Sequence, residues 1–261
     1  MPNWFFALPI LLAVILIYFI CCSISLVGFV FAKKFFIKVD LHEVIGKVVW
    51  QTVLFFSTLF ITFWIATNIN NLDVLHTVSQ QEAHEIENIY NAANSIPGKD
   101  KENIQTALLN YLYAINNYEY PQLEKGNRSE ISDSRYNELI KVIYRYTPNG
   151  TTNNELAYGR LLRVLDDMSD YRIKRLGLLK GELTGALLSF FILMISVGCF
   201  WTGCINSKSF IFTLIVIMSQ NLVIASSSWL IFEIDKPSQG YFRVNNSAFI
   251  EAANEIKKLK F

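Results

Sequence analysis

The stretch SFIFTLIVIMSQNLVIASSSWLIF, residues 209–232, contains 24 residues and no charged side chain. At ~1.5 Å per residue, a helix of this length is roughly 36 Å long and crosses the ~30 Å core of a bilayer. Its middle is polar, because Ser219, Gln220 and Asn221 are each followed seven positions later by a serine on nearly the same face. Lipid does not satisfy such side chains. We therefore expect these stripes to be buried, either in a tightly packed bundle or beside a solute pathway.

The composition indicates an integral membrane protein. Of the 261 residues, 52% are hydrophobic and 20 are phenylalanine, while the net charge is only +1. A chain so close to neutral gives no reason to expect nucleic acid as a partner. The apolar residues are concentrated in long runs, so we expect the lipid bilayer as the partner and a multi-pass protein of the plasma (inner) membrane.

Three further apolar runs complete the predicted fold. The first lacks the basic start of a signal peptide and is interpreted as a retained helix, and the second, residues 48–67, is just long enough to cross. We predict an all-α protein with four transmembrane helices and a helical soluble insert between spans two and three. The predicted regions are spans one and two (1–67), the insert (68–180), the hairpin of spans three and four (181–235) and a tail with a short amphipathic helix (236–261).

Span two carries two lines of side chains at helical spacing. Phe56, Phe60 and Phe63 form an aromatic line, and Thr58 and Thr62 form a polar line on another side. The threonines either bond their own backbone carbonyls or line a polar path. The aromatic line faces either lipid, a neighbouring helix or a symmetry axis, where it would form a hydrophobic constriction that gates by dewetting.

The insert has the pattern of a helical bundle. It contains 13 Lys or Arg and 15 Asp or Glu, and its apolar residues recur at helical spacing, which is typical of a bundle core. The first predicted helix continues out of span two, and the second ends at Tyr120 and Pro121. The four helices are predicted at about residues 73–94, 101–118, 134–146 and from 153 onward.

The charged residues of the insert match no known catalytic or metal motif. Asp166, Asp167 and Asp170 offer oxygen ligands that suit a divalent cation. Arg172 and Arg175 follow in the same helix, so we interpret the group as a solvated, salt-bridged face. No nucleophile elbow, metal-ligand spacing or glycine-rich phosphate loop is present. We therefore expect no cofactor, no bound metal and no enzymatic activity.

The four cysteines lie in or beside the apolar runs. Cys21 and Cys22 belong to the first run, and Cys199 and Cys204 lie near the end of the third. We interpret them as small apolar side chains and not as a disulfide framework. Cys199 and Cys204 diverge on a helix because they are five residues apart, which makes their pairing unfavourable.

Several short segments occur in an order that resembles the bestrophin-like membrane proteins, a family of unknown function. The resemblance covers about residues 41–244, and the ordered set is more specific than any single segment. The segments are His42-Glu43-Val44-Ile45-Gly46, Gln81-Glu82-Ala83, Tyr118-Glu119-Tyr120-Pro121-Gln122-Leu123, Arg172-Ile-Lys-Arg175-Leu176, and Asp235-Lys236-Pro237 with Gly240.

The resemblance implies a function through a more distant likeness. True bestrophins are pentameric anion channels with four spans and a cytoplasmic helical region, and their second span lines the pore. An acidic cluster after their fourth span takes part in calcium binding, whereas this chain has Asp235, Pro237 and Gly240 there without a run of acids. We therefore expect an oligomeric anion channel without calcium gating. The alternative is a membrane-anchored sensor or scaffold whose insert binds a partner.

Two arguments disagree about the side of the membrane on which the insert lies. The likeness to bestrophins implies a cytoplasmic insert, and we follow it. Charge counting over short loops favours an external insert, because basic residues are usually more frequent on the cytoplasmic side. The residues counted are Lys33, Lys34, Lys38, Lys47 and Lys208 on one side, and Lys236 and Arg243 on the other.

Overall fold

The chain forms two compact units. The computed structural model describes residues 9–35, 41–148, 152–179, 185–204, 210–238 and 244–259. The membrane unit lies within Met1–Ile69 and Glu182–Asp235, and the helical unit lies within Asn70–Gly181 and Lys236–Phe261.

The described residues are helical and contain no β-strand. The segments Ile10–Lys34, Trp50–Ala93, Leu187–Cys204 and Phe210–Asp235 are long and apolar enough to cross a membrane. The predicted all-α fold with four such spans and a helical insert is confirmed. In chain order the helices are α1 (Ile10–Phe35), α2 (Leu41–Ala93), α3 (Lys99–Ala114), a π-helical turn (Ile115–Glu119), α4 (Tyr120–Glu124), α5 (Glu130–Arg145), α6 (Thr152–Leu178), α7 (Gly185–Cys204), α8 (Phe210–Asp235) and α9 (Ser247–Leu259).

Helix α2 is much longer than a bilayer is thick. Its 53 residues correspond to about 80 Å of helical rise. No proline interrupts it, and the next one, Pro97, follows its end. Gly98, with φ of 73°, then starts α3 in a backbone conformation that suits glycine. The prediction that the first insert helix continues out of span two is confirmed.

One hydrophobic core holds the helical unit together. The apolar stripes predicted for the insert are buried in it, and α9 adds its own apolar face. Burial of such stripes is the main source of stability in a helical bundle. Core residues include Ile86, Ile89, Leu108, Leu112, Leu139, Ile143, Leu161, Leu165, Met168, Phe249 and Ile256.

Two predicted helix ends in the insert are wrong. Pro121 does not end the second helix, because the π-helical turn leads directly into α4, where this proline lies in the first turn. Proline is tolerated there, since a first-turn N–H has no partner within its helix. Helix α5 begins at Glu130, earlier than predicted, because the Ser129 side chain caps it by accepting a hydrogen bond from the Ser132 N–H at 3.3 Å.

Glycines bring the backbones of α1 and α7 into contact. A Cβ on Gly28 would lie 2.1 Å from the carbonyl oxygen of Phe200, and one on Gly203 would lie 1.8 Å from that of Ser25. Ser25 Oγ also donates a hydrogen bond of 2.8 Å to the carbonyl of Cys199. Small residues at a membrane-helix crossing permit this close approach.

Candidate functional site

Helix α2 leaves a wide face uncovered in the membrane unit. Phe56 and Phe63 are 55% and 68% exposed, and Thr58 and Thr62 are exposed as well. Removing a fully exposed phenylalanine side chain from water is favourable by roughly 2 kcal/mol of free energy. These exposed side chains therefore need lipid or another chain beside them. Four of the five residues predicted to line a pore are thus exposed in the membrane unit, with the phenylalanines on one side of α2 and the threonines on another.

Phe60, the fifth of these residues, lies at the edge of the face. It is half-buried, and its ring stacks on Trp64 and on Phe191 of α7, with centroid distances of 6.2 and 5.9 Å. It also meets Phe190 edge-on at 5.5 Å. The three aromatic rings therefore do not share one free surface, because Phe60 marks the side of α2 that packs against α7.

The polar middle of α8 is partly buried. Asn221 is fully buried and bonds across to α1, where its Nδ2 donates to Ser25 Oγ at 2.9 Å. Ser228, on the same stripe, is also buried, and Gln220 is half-buried. Ser219 is exposed and donates to the carbonyl of Val216 in its own helix. Within the membrane unit, Asn221 and Ser228 are thus buried as expected, whereas Ser219 is exposed and its burial in an assembly stays a prediction.

Loss of the Asn221 contact is expected to loosen the membrane unit. Asn221→Leu removes the interhelical hydrogen bonds to Ser25, which in membranes are worth roughly 0.5–2 kcal/mol. The thermal unfolding midpoint in detergent should fall. Ser219→Ala, two residues away and exposed, is the matched control and should leave the midpoint unchanged. Equal midpoints for both variants would show that the Asn221 bond contributes nothing.

The structure describes two of the three residues predicted at the exit of span four. Asp235, the last residue of α8, and Pro237 are both buried, and Pro237 accepts a hydrogen bond from the Val244 N–H at 2.9 Å. Gly240 lies outside the described residues. Within the described part of the chain, no three His, Cys, Asp or Glu side chains are grouped so that they could hold a metal ion.

A buried ion network forms the polar centre of the helical unit. Arg175 of α6 is fully buried and donates two hydrogen bonds to Glu82 of α2, from Nε at 2.6 Å and from Nη2 at 3.2 Å. Its Nη1 lies 2.6 Å from Glu119 Oε1, an ion pair that lacks the angular geometry of a hydrogen bond. One guanidinium therefore joins carboxylates from α2 and from the π-helical turn.

Arg172 extends this network toward α3 and α5. Its Nη2 donates to Asp133 Oδ1 at 2.6 Å and lies 3.7 Å from Glu119 Oε2. Its Nε donates to the hydroxyl of Tyr111 at 3.0 Å, and that hydroxyl donates to Glu82 Oε1 at 2.8 Å. The charges are thus paired and hydrogen-bonded, which buried ionic groups require.

Aromatic rings cover both guanidiniums. The guanidinium carbon of Arg172 lies 4.3 Å from the ring centroid of Tyr136, and that of Arg175 lies 5.0 Å from the centroid of Phe249 in α9. These are cation–π distances. Helix α9 therefore contributes to the polar centre of the helical unit as well as to its apolar core.

A sequence model of the bestrophin-like domain matches residues 15–249. The chain belongs to the bestrophin-like family. No match was found among curated proteins or among solved structures. Glu82, Glu119, Arg172 and Arg175, the four buried charges of the network in this bestrophin-like chain, all come from segments that carry the family resemblance. Those segments are distant in sequence and meet in one network.

The surroundings of the network set its protonation. Burial alone would raise the pKa of Glu119, but Arg175, the hydroxyl of Ser132 and Arg172 outweigh burial and lower it below its ordinary 4.5. For Asp133, Arg128 and Arg172 likewise outweigh burial and lower the pKa. Burial raises the pKa of the Tyr111 phenol well above 10.0. At neutral pH the two carboxylates are therefore ionised and the phenol keeps its proton to donate.

Acid is expected to destabilise the helical unit of the bestrophin-like chain. Because the folded-state pKa of Glu119 is below 4.5, its contribution to stability is present above that value and is lost as the pH falls through the folded pKa. The unfolding midpoint should therefore drop between pH 6 and pH 3.5. Glu119→Gln should start lower at pH 6 and drop less. An equal drop in both proteins would contradict the role of this carboxylate.

This network differs from what the sequence pattern predicts. Arg172 and Arg175 were expected on a solvated face, but both are buried, while Asp166, Asp167 and Asp170 beside them are exposed as expected. A signal for the arginines exists in the sequence, because they continue the apolar stripe of α6 at alternating spacings of four and three. The stripe consists of Leu161, Leu165, Met168, Arg172 and Arg175.

Proposed function

We propose that this bestrophin-like protein assembles into an oligomeric anion channel whose pore is lined by α2. The observation that carries the proposal is the exposed aromatic line of α2, where Phe56 and Phe63 are left uncovered by the membrane unit. Thr58 and Thr62 are exposed on another side of the same helix. In an oligomer, the aromatic side can face the pore axis while the threonine side contacts a neighbouring chain. Membership of the bestrophin-like family supports the same assignment.

The chemistry of this face suits a gated path for a weakly hydrated anion. A symmetric ring of phenyl groups forms a hydrophobic constriction that excludes water while narrow and conducts once widened. The hydroxyls of Thr58 and Thr62, on another side of α2, can donate hydrogen bonds to a neighbouring chain of the oligomer without adding charge. Phe60 has a supporting role in this proposal, because its contacts with Trp64 and Phe191 hold the pore helix against α7. The proposal assigns no catalytic step to the chain.

The channel requires several copies, since one chain with a single such helix does not enclose a pore. Family likeness favours a pentamer in the plasma membrane, with four spans per chain. The mass of the protein in a mild detergent or a nanodisc, measured by native mass spectrometry, tests this directly. A multiple of the 30.0 kDa chain supports the proposal, and a strictly monomeric protein removes the pore.

We further propose that the helical unit lies in the cytoplasm. Gly126 is exposed in the short loop between α4 and α5, so a reporter inserted there should leave the core intact. Alkaline phosphatase, which is active only outside the cytoplasm, should be silent at Gly126 and active at Asn206. The reverse pattern would place the helical unit outside and favour an external sensing domain.

A sensor or scaffold is the second candidate function. The helical unit has a continuous hydrophobic core and a fully paired ion network, as expected for a domain that folds as a unit and presents a stable surface. Under this alternative the apolar helices only anchor the chain. A monomer without halide flux would favour it over the channel.

A further inference from the structure

Two of the four cysteines face each other across the contact between α1 and α7. Cys21 is 1% exposed and Cys199 is 0% exposed, and both belong to one buried cluster with Ile224 of α8. The two side chains therefore pack in the same buried part of the membrane unit. All four cysteines are free, in agreement with the expectation that they form no disulfide framework.

The other two cysteines have different partners. Cys22 accepts a hydrogen bond from Asn221 Nδ2 at 3.6 Å, and Cys204 donates one to the carbonyl of Gly28 at 3.4 Å. Among the four cysteines, Cys21 and Cys199 are the two that share one buried cluster. This difference provides an internal control for any thiol chemistry.

Cys21 and Cys199 lie one helical turn before Ser25 and Gly203, where the backbones of α1 and α7 touch. A disulfide requires Cβ atoms roughly 3.5–4.5 Å apart, and helices reach this range only where their backbones nearly touch. Around this pair, Ser25 Oγ reaches the carbonyl of Cys199 at 2.8 Å, and neither Gly28 nor Gly203 has room for a Cβ. A bond between the two sulfurs would need side-chain rotation and little helix movement.

We propose that Cys21 and Cys199 are a redox pair that forms a disulfide within the membrane unit and ties α1 to α7. Because both lie in apolar spans, the matching oxidant is a lipid-soluble quinone. Two S–H bonds break and one S–S bond forms, while two electrons and two protons pass to the quinone and reduce it to the hydroquinone. Ile20, next to Cys21 in the sequence, is 53% exposed, so a lipid-soluble oxidant can approach α1 at the level of the pair. The proposal does not depend on anion conduction.

The test counts thiols in the full chain reconstituted in nanodiscs. The protein is treated with decylubiquinone, unfolded in detergent with N-ethylmaleimide, and weighed by intact mass spectrometry. The expected result is the loss of two alkylated thiols, restored by dithiothreitol, and a cross-linked peptide that contains both Cys21 and Cys199. Cys22→Ser and Cys204→Ser, the matched controls, should still lose two thiols. Cys21→Ser and Cys199→Ser should lose none.

Three results would overturn the proposal. The first is full alkylation of the wild-type protein after quinone treatment. The second is a cross-linked peptide that joins a different pair of cysteines. The third is a Cys21–Cys199 bond that forms with copper phenanthroline but not with the quinone, which would show proximity without redox function. Peptide mapping of the wild-type protein keeps the test decisive even if a serine variant fails to fold.

Discussion

Replacing Arg175 with methionine is expected to destabilise the helical unit by about 3–5 kcal/mol, the usual cost of removing one partner from a buried ion pair. The variant keeps an unbranched apolar side chain but leaves Glu82 and Glu119 without the guanidinium that both of them contact. Amide hydrogen exchange of α6 peptides, followed by mass spectrometry, should become about 10²–10³-fold faster, since 1.4 kcal/mol corresponds to a factor of ten.

Arg163→Met is the matched control, because this arginine lies on the same helix and is exposed. Its effect should stay within about 0.5 kcal/mol. Adding Glu82→Gln and Glu119→Gln to Arg175→Met should recover part of the loss, since no unpaired charge then remains buried. Equal exchange rates in the Arg175 and Arg163 variants would contradict the importance of the buried network.

Phe63→Ala is expected to raise the resting conductance several-fold, with little effect on assembly. Phe63 is the most exposed of the three aromatic residues, so its truncation removes bulk from the proposed constriction without opening a cavity in the membrane unit. Phe60→Ala should instead lower stability, because its ring packs against Trp64 and Phe191. Planar-bilayer recordings, together with thermal unfolding, separate the two effects.

Phe19→Ala is the control for the loss of an exposed aromatic ring outside the proposed pore helix. Phe19 is 65% exposed and belongs to α1. The conductance of this variant should equal that of the wild-type protein. If Phe63→Ala and Phe19→Ala gave the same currents, the aromatic face of α2 would be a lipid contact and would not line a pore.

Much of the architecture follows from patterns within single segments. Long uncharged runs predict the spans, and the lack of proline in α2 predicts its continuation into the helical unit. Pro121 does not mark a helix end, although prolines often do. A proline ends a helix only where its backbone N–H would have donated a hydrogen bond within that helix. The preceding π-helical turn makes this position the start of a new helix. Such a turn depends on packing between elements, and the local sequence alone does not specify it.

The polar parts of the structure were harder to predict because their environment is set by distant segments. Arg172 and Arg175 have the composition of a solvated face, and only their partners Glu82 and Glu119 make burial tolerable. The environment of Asn221 is also set by a distant segment, because Ser25 of α1 accepts its hydrogen bond. Ser219 instead donates to Val216 of its own helix. Periodicity predicts that a residue faces inward, but not which charge or amide meets it there.

Halide uptake into proteoliposomes tests the channel most directly. Liposomes that contain a halide-quenched dye are prepared with wild-type protein, with Phe63→Ala, or without protein, at verified protein density. Under the proposed function, dye quenching is faster with the wild-type protein than in empty liposomes, and faster still with Phe63→Ala. Quenching that matches empty liposomes for both proteins would contradict an anion pore along α2.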